Sequence, residues 1–551
     1  MFSAKVFSQT KFIFLLLPIL FGACECQNAS LTIPLNKTIS WADKELYGGF
    51  VTLNATSTLQ VNLVNENKDV SYIIFQVHSH LYNVTLYNNS VSHGSTVVGT
   101  NIGLYSAVKP APDVFYIYNQ NTLNLKLYIS IHGYDSKDPI PGGCNMEFPT
   151  SISPYLRTTV NKDFILIDAA AAKDSTDKKC TLFDGATVVF YKMFILDGYF
   201  DTDTYFKGLK SMLTLGSIVE YGEFVPENGE HMRRRLAAYP ATGAVYVAIA
   251  YSASNKSAYS VYVPDTTYGC DPLEGGDCDI LDDTVSRLLC AALFFVGLFV
   301  CYLGHHFFKT EMFLVGLMSG VLVTYIAISL IAVIDRPPLL GASMLSGVCF
   351  GAIWLLFWWF YGIPIFAVLL STLNVGFLFA AIIYHGLPGG LIALQVDFNF
   401  WTLFILITIL TSLMLVSMTF LSNILCCVIL GSYAAVFSVD YSVGSYLKYI
   451  IINTVRRAVV PKFNKAILSP PFGWRDVLVS LLWVTLALTG FLVQHYHNRG
   501  RPPFPPPPRS VRPTMPGLTY GTIGSRTPRR GDGPTSPQNR TANNETAPLL
   551  A

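Results

Sequence analysis

Of 551 residues, 51% are hydrophobic and only 13% are charged, the mean hydropathy is +0.42, and the apolar excess falls almost entirely after residue 285. That balance is too apolar for a soluble chain of this length. A formal net charge of +2, with no basic patch interleaved with aromatics on a folded segment, excludes nucleic acid as a partner.

Residues 1–26 read as a signal peptide. Lys5 and Lys11 form a positive start, and the apolar run from Phe12 to Ala23 is shorter than the roughly 20 residues a membrane span needs. An uncleaved anchor is the competing reading. From 27 to 284, β-branched and aromatic runs such as SYIIFQVHSH, LNLKLYISIHGY and TVVFYKMFIL alternate as strands do. YFKGLKSMLTLG, near 205–216, is a helical exception. The expectation is a lumenal or extracellular ectodomain of two β-sandwich-like domains, 27–152 and 153–284, divided near Pro149 to Pro154.

Export also fits the glycosylation acceptors at Asn28, Asn36, Asn54, Asn83, Asn88 and Asn255, all before the first apolar helix. Asn539 and Asn544 fit the same pattern by chance, in a tail expected to be cytosolic. After signal removal this region keeps Cys144, Cys180, Cys270 and Cys278, an even set that in an oxidising compartment implies two disulfides. Three connectivities satisfy it. The short loop from Cys270 to Cys278 suggests one pair, leaving Cys144 for Cys180. Neither pair has CxxC spacing and no nearby histidines complete a zinc set, so no metal or cofactor is expected.

Within 285–496, apolar runs at about 286–303, 312–334, 339–361, 364–384, 400–421, 424–444 and 475–494 predict a seven-helix transmembrane bundle in the lipid bilayer. The fifth and sixth are nearly continuous and are read as joined at Asn423. Eight arginines and no lysine after residue 498 point to a cytosolic C-terminus. Lys448, Arg456, Arg457, Lys462 and Lys465 conflict with this, because seven spans put them on the opposite side. Gly316 with Gly320, and Gly347 with Gly351, one step after Ser343, have the spacing that lets helix backbones approach in lipid. Packing within the bundle is favoured over a homodimer seam.

Ionisable residues near the spans, including His305, His306, Glu311, Asp335, Arg336, Asp397, Asp440, Arg475 and Asp476, lie at run ends, and Asn374 is the main mid-span polar group. No hydrolase constellation or carboxylate relay is visible. Neither a D/E-R-Y triplet nor an N-P-x-x-Y run marks a rhodopsin-type receptor.

The Pro- and Arg-rich tail, 497–551, lacks the apolar content to bury a core and is expected to be disordered. Phe504 followed by Pro505 to Pro508 suits an EVH1 groove, with SH3 and WW domains as related partners; a stiff spacer is the alternative. Tyr520 with Ile523, and Glu545 with Leu549 and Leu550, have the spacing of sorting signals bound by adaptor complexes.

The segments DPIPGGCNMEF (138–148), GHHFFKTEMFLVG (304–316) and GRPPFPPPP (500–508), with the terminal ETAPLL, resemble the transmembrane 7 superfamily member 3 family of seven-span proteins. The resemblance implies a non-enzymatic pro-survival role, damping endoplasmic-reticulum stress and the unfolded protein response and supporting secretory-cell survival and insulin secretion. It also implies residence at the plasma membrane and nuclear envelope, and it matches Cys144 as a disulfide partner; an endolysosomal or endoplasmic-reticulum pool is a further expected location. A receptor or adhesion molecule whose ectodomain binds an unidentified ligand is the alternative; a channel, transporter or membrane hydrolase ranks third.

Overall fold

The computed structural model describes residues 29–499, apart from 36–43, 66–68, 89–95, 109–112, 145–153, 175–185, 196–199, 275–277, 279–280, 282–283 and 388; beyond 499 it describes Phe504. The signal peptide, Asn28, Asn36, Cys180, Pro505, Pro508, Tyr520, Ile523, Glu545, Leu549 and Leu550 lie outside the described residues.

The N-terminal region, expected to be the ectodomain, folds as two β domains built of packed sheets. In the first, a five-stranded sheet (29–35, 58–65, 113–118, 84–88, 96–99) faces a four-stranded one (45–53, 125–134, 72–79, 101–107). Period-two alternation sends Ile73, Phe75 and Val77 into the core between the sheets. There the Phe75 and Phe115 rings stack at 4.4 Å. Tyr72 and Ile74, on the other face of the same strand, pack with Tyr134 and with Val263 of the second domain. The strand is therefore buried on both faces, which explains the continuous apolar run at 72–75.

The second domain pairs a three-stranded sheet (157–160, 164–168, 233–237) with a sheet built on Thr187–Phe194 and Ala244–Tyr251. Strand Ile140–Cys144 pairs with Ala171–Lys173 and belongs to this domain. The sheets thus divide between Tyr134 and Ile140, ahead of the break expected at 149–154. The helical stretch expected near 205–216 resolves into helices Thr202–Lys210 and Leu215–Tyr221. Asp201 starts the first by accepting a bond from the Thr204 amide at 2.9 Å. Phe206, Leu209 and Met212 cover Val245, Val247 and Ile249. Tyr205 hydroxyl reaches back to Asn101 Oδ1 at 2.8 Å, tying the two domains together.

Among the described residues, seven helices are long and apolar enough to cross a membrane: Thr284–Leu303, Phe308–Ile331, Pro337–Tyr361, Pro364–Gly386, Asp397–Val416, Phe420–Val443 and Trp474–His497, here spans 1 to 7. Span 6 is the most buried and packs against spans 1, 4 and 7. The turn between spans 5 and 6 falls at Ser417 and Met418 rather than at Asn423, because Asn423 is a buried interior residue of span 6 with partners described below. Side-chain bonds tie spans in pairs: Thr324–Ser346 at 2.7 Å, Thr372–Ser412 at 2.7 Å, and Asn374 Nδ2 to Ser319 Oγ at 2.7 Å.

Candidate functional site at the ectodomain seam

Between spans 6 and 7 the chain forms the amphipathic helix Tyr449–Val459. Tyr449, Ile450, Asn453, Thr454 and Arg457 are buried along one stripe at helical spacing. This helix is wedged under the second ectodomain domain. Arg456 Nε pairs with Asp163 at 3.0 Å, its Nη1 donates to the Ala238 carbonyl at 2.9 Å, and its Nη2 donates to the Lys162 carbonyl at 3.0 Å. Arg457 turns the other way, pairing with Asp397 at the start of span 5 at 2.8 Å. Lys465 meets Glu230 at 3.0 Å, and Lys448 lies 3.5 Å from Asp440.

The seam also carries main-chain pairing. Ile467 accepts from the Ala237 amide at 3.1 Å and donates to the Arg235 carbonyl at 2.9 Å, extending the edge of strand Arg233–Ala237. Arg235 Nη1 donates to the Lys462 carbonyl at 2.8 Å. Tyr239 sits edge-on to the rings of Tyr446 at 5.7 Å and Tyr449 at 4.8 Å. The basic segment lies at the end of the bundle that meets the β domains, and Lys448, Arg456, Arg457 and Lys465 are matched to carboxylates.

Beside the seam, a cleft of about 1760 Å³ opens between the ectodomain loops and the upper ends of spans 1, 2 and 6. At the bundle's opposite end is a second polar cluster. Asn423 Nδ2 contacts Glu311 Oε2 at 3.0 Å and His305 Nδ1 at 2.8 Å; all three side chains are buried. Gln494 accepts from the His305 amide at 3.2 Å and donates to the Val300 and Cys301 carbonyls at 3.0 and 2.7 Å. These bonds satisfy carbonyls at the buried end of span 1. Burial, with His306 adding to it, pulls the His305 imidazole down to about 4. Two residues of the GHHFFKTEMFLVG segment thus join spans 2 and 6, a role hidden while they are read as run-end charges. Phe504, expected in a free tail, instead packs on this end, 5.3 Å from the Phe308 ring and 6.4 Å from His305.

The glycines read from spacing face one another across spans 2 and 3. A Cβ on Gly316 would lie 2.8 Å from the Gly351 Cα, and one on Gly320 would lie 2.9 Å from the Gly347 Cα. Ser343 is buried and donates to the Leu339 carbonyl of its own helix at 2.8 Å. Spacing missed the contact of Gly297 with Gly431, where spans 1 and 6 approach: a Cβ on Gly431 would lie 2.7 Å from the Gly297 carbonyl. Cys270 and Cys278 form a disulfide, and Cys144 is disulfide-bonded. Asn54, Asn83 and Asn255 are exposed, whereas Asn88 is half-buried. No group of three or more His, Cys, Asp or Glu suited to a metal ion occurs among the described residues.

Three family models match the chain in order: the TM7SF3-like, N-terminal immunoglobulin-like domain at 47–134, the TM7SF3-like, second immunoglobulin-like domain at 139–273, and the TM7S3/TM198-like domain at 290–495. "Transmembrane 7 superfamily member 3" of Rattus norvegicus is 29% identical over 466 residues, 80% of this chain and 81% of the relative. The Homo sapiens protein of that name is 27% identical over 482 residues, 83% of each chain. Among solved structures, the Aeromonas hydrophila periplasmic lysozyme inhibitor PliG covers 19% of this chain and 98% of its own at a TM-score of 0.14, too low to carry an argument.

Proposed function

The chain belongs to the transmembrane 7 superfamily member 3 family, and from that premise we propose that it is a non-enzymatic secretory-pathway glycoprotein that restrains endoplasmic-reticulum stress through binding. Its ectodomain faces the lumen or the extracellular space, its tail faces the cytosol, and its main residence is the plasma membrane. By damping the unfolded protein response it supports secretory-cell survival and insulin secretion.

The observation that carries the binding mechanism is the seam. Arg456, Lys465 and Ile467 fasten the second immunoglobulin-like domain to the loop between spans 6 and 7. A load placed on the ectodomain therefore reaches span 6, the centre of the bundle. The same coupling supports the second reading, a receptor whose ectodomain takes an extracellular ligand. Adaptor partners belong to the tail in either case, and an EVH1-type partner would have to draw Phe504 from its place against Phe308.

Depletion in secretory cells, followed by a stress-response reporter, tests the proposal. Depletion should raise the reporter and wild-type protein should restore it, whereas Arg456→Gln expressed at equal level should restore it only partly. An unchanged reporter after depletion sinks the stress role; full rescue by Arg456→Gln sinks the seam as its route. Specific ligand capture by the membrane-embedded full chain, with no reporter change on depletion, would favour the receptor reading.

A further inference from the structure

Strand Glu223–Val225 stands at the edge of its sheet in the second β domain, next to Thr187–Phe194. Alternation turns Val225 into the core and Phe224 to the opposite face, where its ring meets Tyr191 edge-on at 6.1 Å. Tyr191 packs with the residues beneath helix Leu215–Tyr221, so Phe224 lies on the helix's side of the sheet. Val219, Tyr221 and Phe224 are 60%, 56% and 54% exposed. An apolar patch at an open sheet edge is an interaction surface or a liability.

Three contacts set that patch at the level where the helices leave the bilayer. Glu223 Oε1 accepts from Ser469 Oγ at 2.9 Å, and Ser469 stands five residues before span 7 begins at Trp474. Pro226 abuts the turn after span 4, which ends at Gly386: a Cβ on Gly390 would lie 3.0 Å from the Pro226 Cβ. Asn228 Nδ2 donates to the Lys465 carbonyl at 3.1 Å. Phe224 is two residues from Pro226, about 7 Å along an extended chain. Phe472 and Trp474, 76% and 65% exposed, carry apolar surface from there onto span 7. Aromatic side chains collect at this depth because one part of the ring system can stay dry while its polar edge meets water. Glu220 and Glu223 border the patch with negative charge, so apolar insertion, not attraction to anionic headgroups, is what would hold it.

We propose that this face is seated in the headgroup layer of the leaflet nearest the β domains. Val219, Tyr221 and Phe224 join Phe472 and Trp474 in one interfacial anchor, and the second β domain lies down on the bilayer instead of standing clear of it. The seat does not depend on the stress role proposed above.

The test reconstitutes the full chain in phosphatidylcholine vesicles doped with a phosphatidylcholine that carries a diazirine beside its glycerol backbone, and maps the crosslinked peptides. Labelling over 215–225 should come within about threefold of that over 472–474, the reference at the start of span 7. Val219→Asp with Phe224→Asp removes two apolar insertions and should cut labelling over 215–225 about tenfold, leaving that over 472–474 and the protease resistance of the seam unchanged. Wild-type labelling over 215–225 further than about threefold below the reference would overturn the seat. Crosslinks that join two copies through 215–225, with no lipid adduct there, would give the face to a second copy and overturn it equally. Should the aspartate pair fail to fold, the wild-type comparison between the two segments decides.

Discussion

Replacing Arg456 by glutamine should open the seam without unfolding either partner. The guanidinium makes three contacts. Asp163 is 40% exposed, so that ion pair contributes less than about 1 kcal/mol. The bonds to the Ala238 and Lys162 carbonyls are charge-assisted and contribute about 1.5–3 kcal/mol each in favourable settings. Glutamine recovers part of one, so a net loss of about 2 kcal/mol is a fair working figure. If local opening is fast relative to cleavage, 2 kcal/mol raises the open population about 30-fold. The assay is limited proteolysis of the full chain in detergent, followed at the segment 445–473. Asp163→Asn alone should raise cleavage only a few-fold. A change below about threefold for Arg456→Gln would refute the view that these bonds hold the seam.

His78 is fully buried beside Asn101, and burial pulls its imidazole down to about 4 from an ordinary 6.5, with the Asn101 carbonyl opposing weakly. Between those values the unfolded chain takes up a proton that the folded one refuses, so stability falls with acidification, by about 2 kcal/mol at pH 5. Thermal melts at pH 7 and pH 5 should show the loss, and His78→Gln should remove this part of it. Gly351→Val would bring a Cβ to 2.6 Å from the Phe313 carbonyl, forcing spans 2 and 3 apart; the monodisperse fraction in detergent should collapse. Gly341→Ala, whose Cβ meets nothing within 4 Å, should leave that fraction unchanged. Changing Asn54, Asn83 or Asn255 to glutamine should each remove one glycosidase-sensitive mobility step, while a C-terminal tag stays open to protease from the cytosolic side; a protected tag would reverse the proposed topology.

What could be read in the sequence was whatever depends on near neighbours. Alternation within SYIIFQVHSH betrays a strand, long apolar runs betray spans, and Cys278 follows Cys270 by eight positions. The helix Tyr449–Val459 escaped because Arg456 and Arg457 interrupt its apolar stripe, and their partners Asp163 and Asp397 lie far off in sequence. Glu311 looked interfacial for the same reason: its burial is set by Asn423, 112 residues away. Gly297 and Gly431 are single glycines on separate helices, so no local spacing announces their contact. The sheet boundary was placed late because Ile140–Cys144 finds its partner strand only at Ala171–Lys173.

Ile467 completes an ectodomain sheet edge, and Lys462 supplies a carbonyl to Arg235, 227 residues earlier. At about 5–20 residues per second, the ribosome delivers that segment some 11–45 s after the strand it finishes. Throughout that interval the second immunoglobulin-like domain waits with a bare edge, and an unpaired strand edge is an invitation to wrong partners. Maturation of the outer domain is thereby timed by the last hairpin of the membrane domain, so truncation after span 6 should injure the ectodomain as well as the bundle.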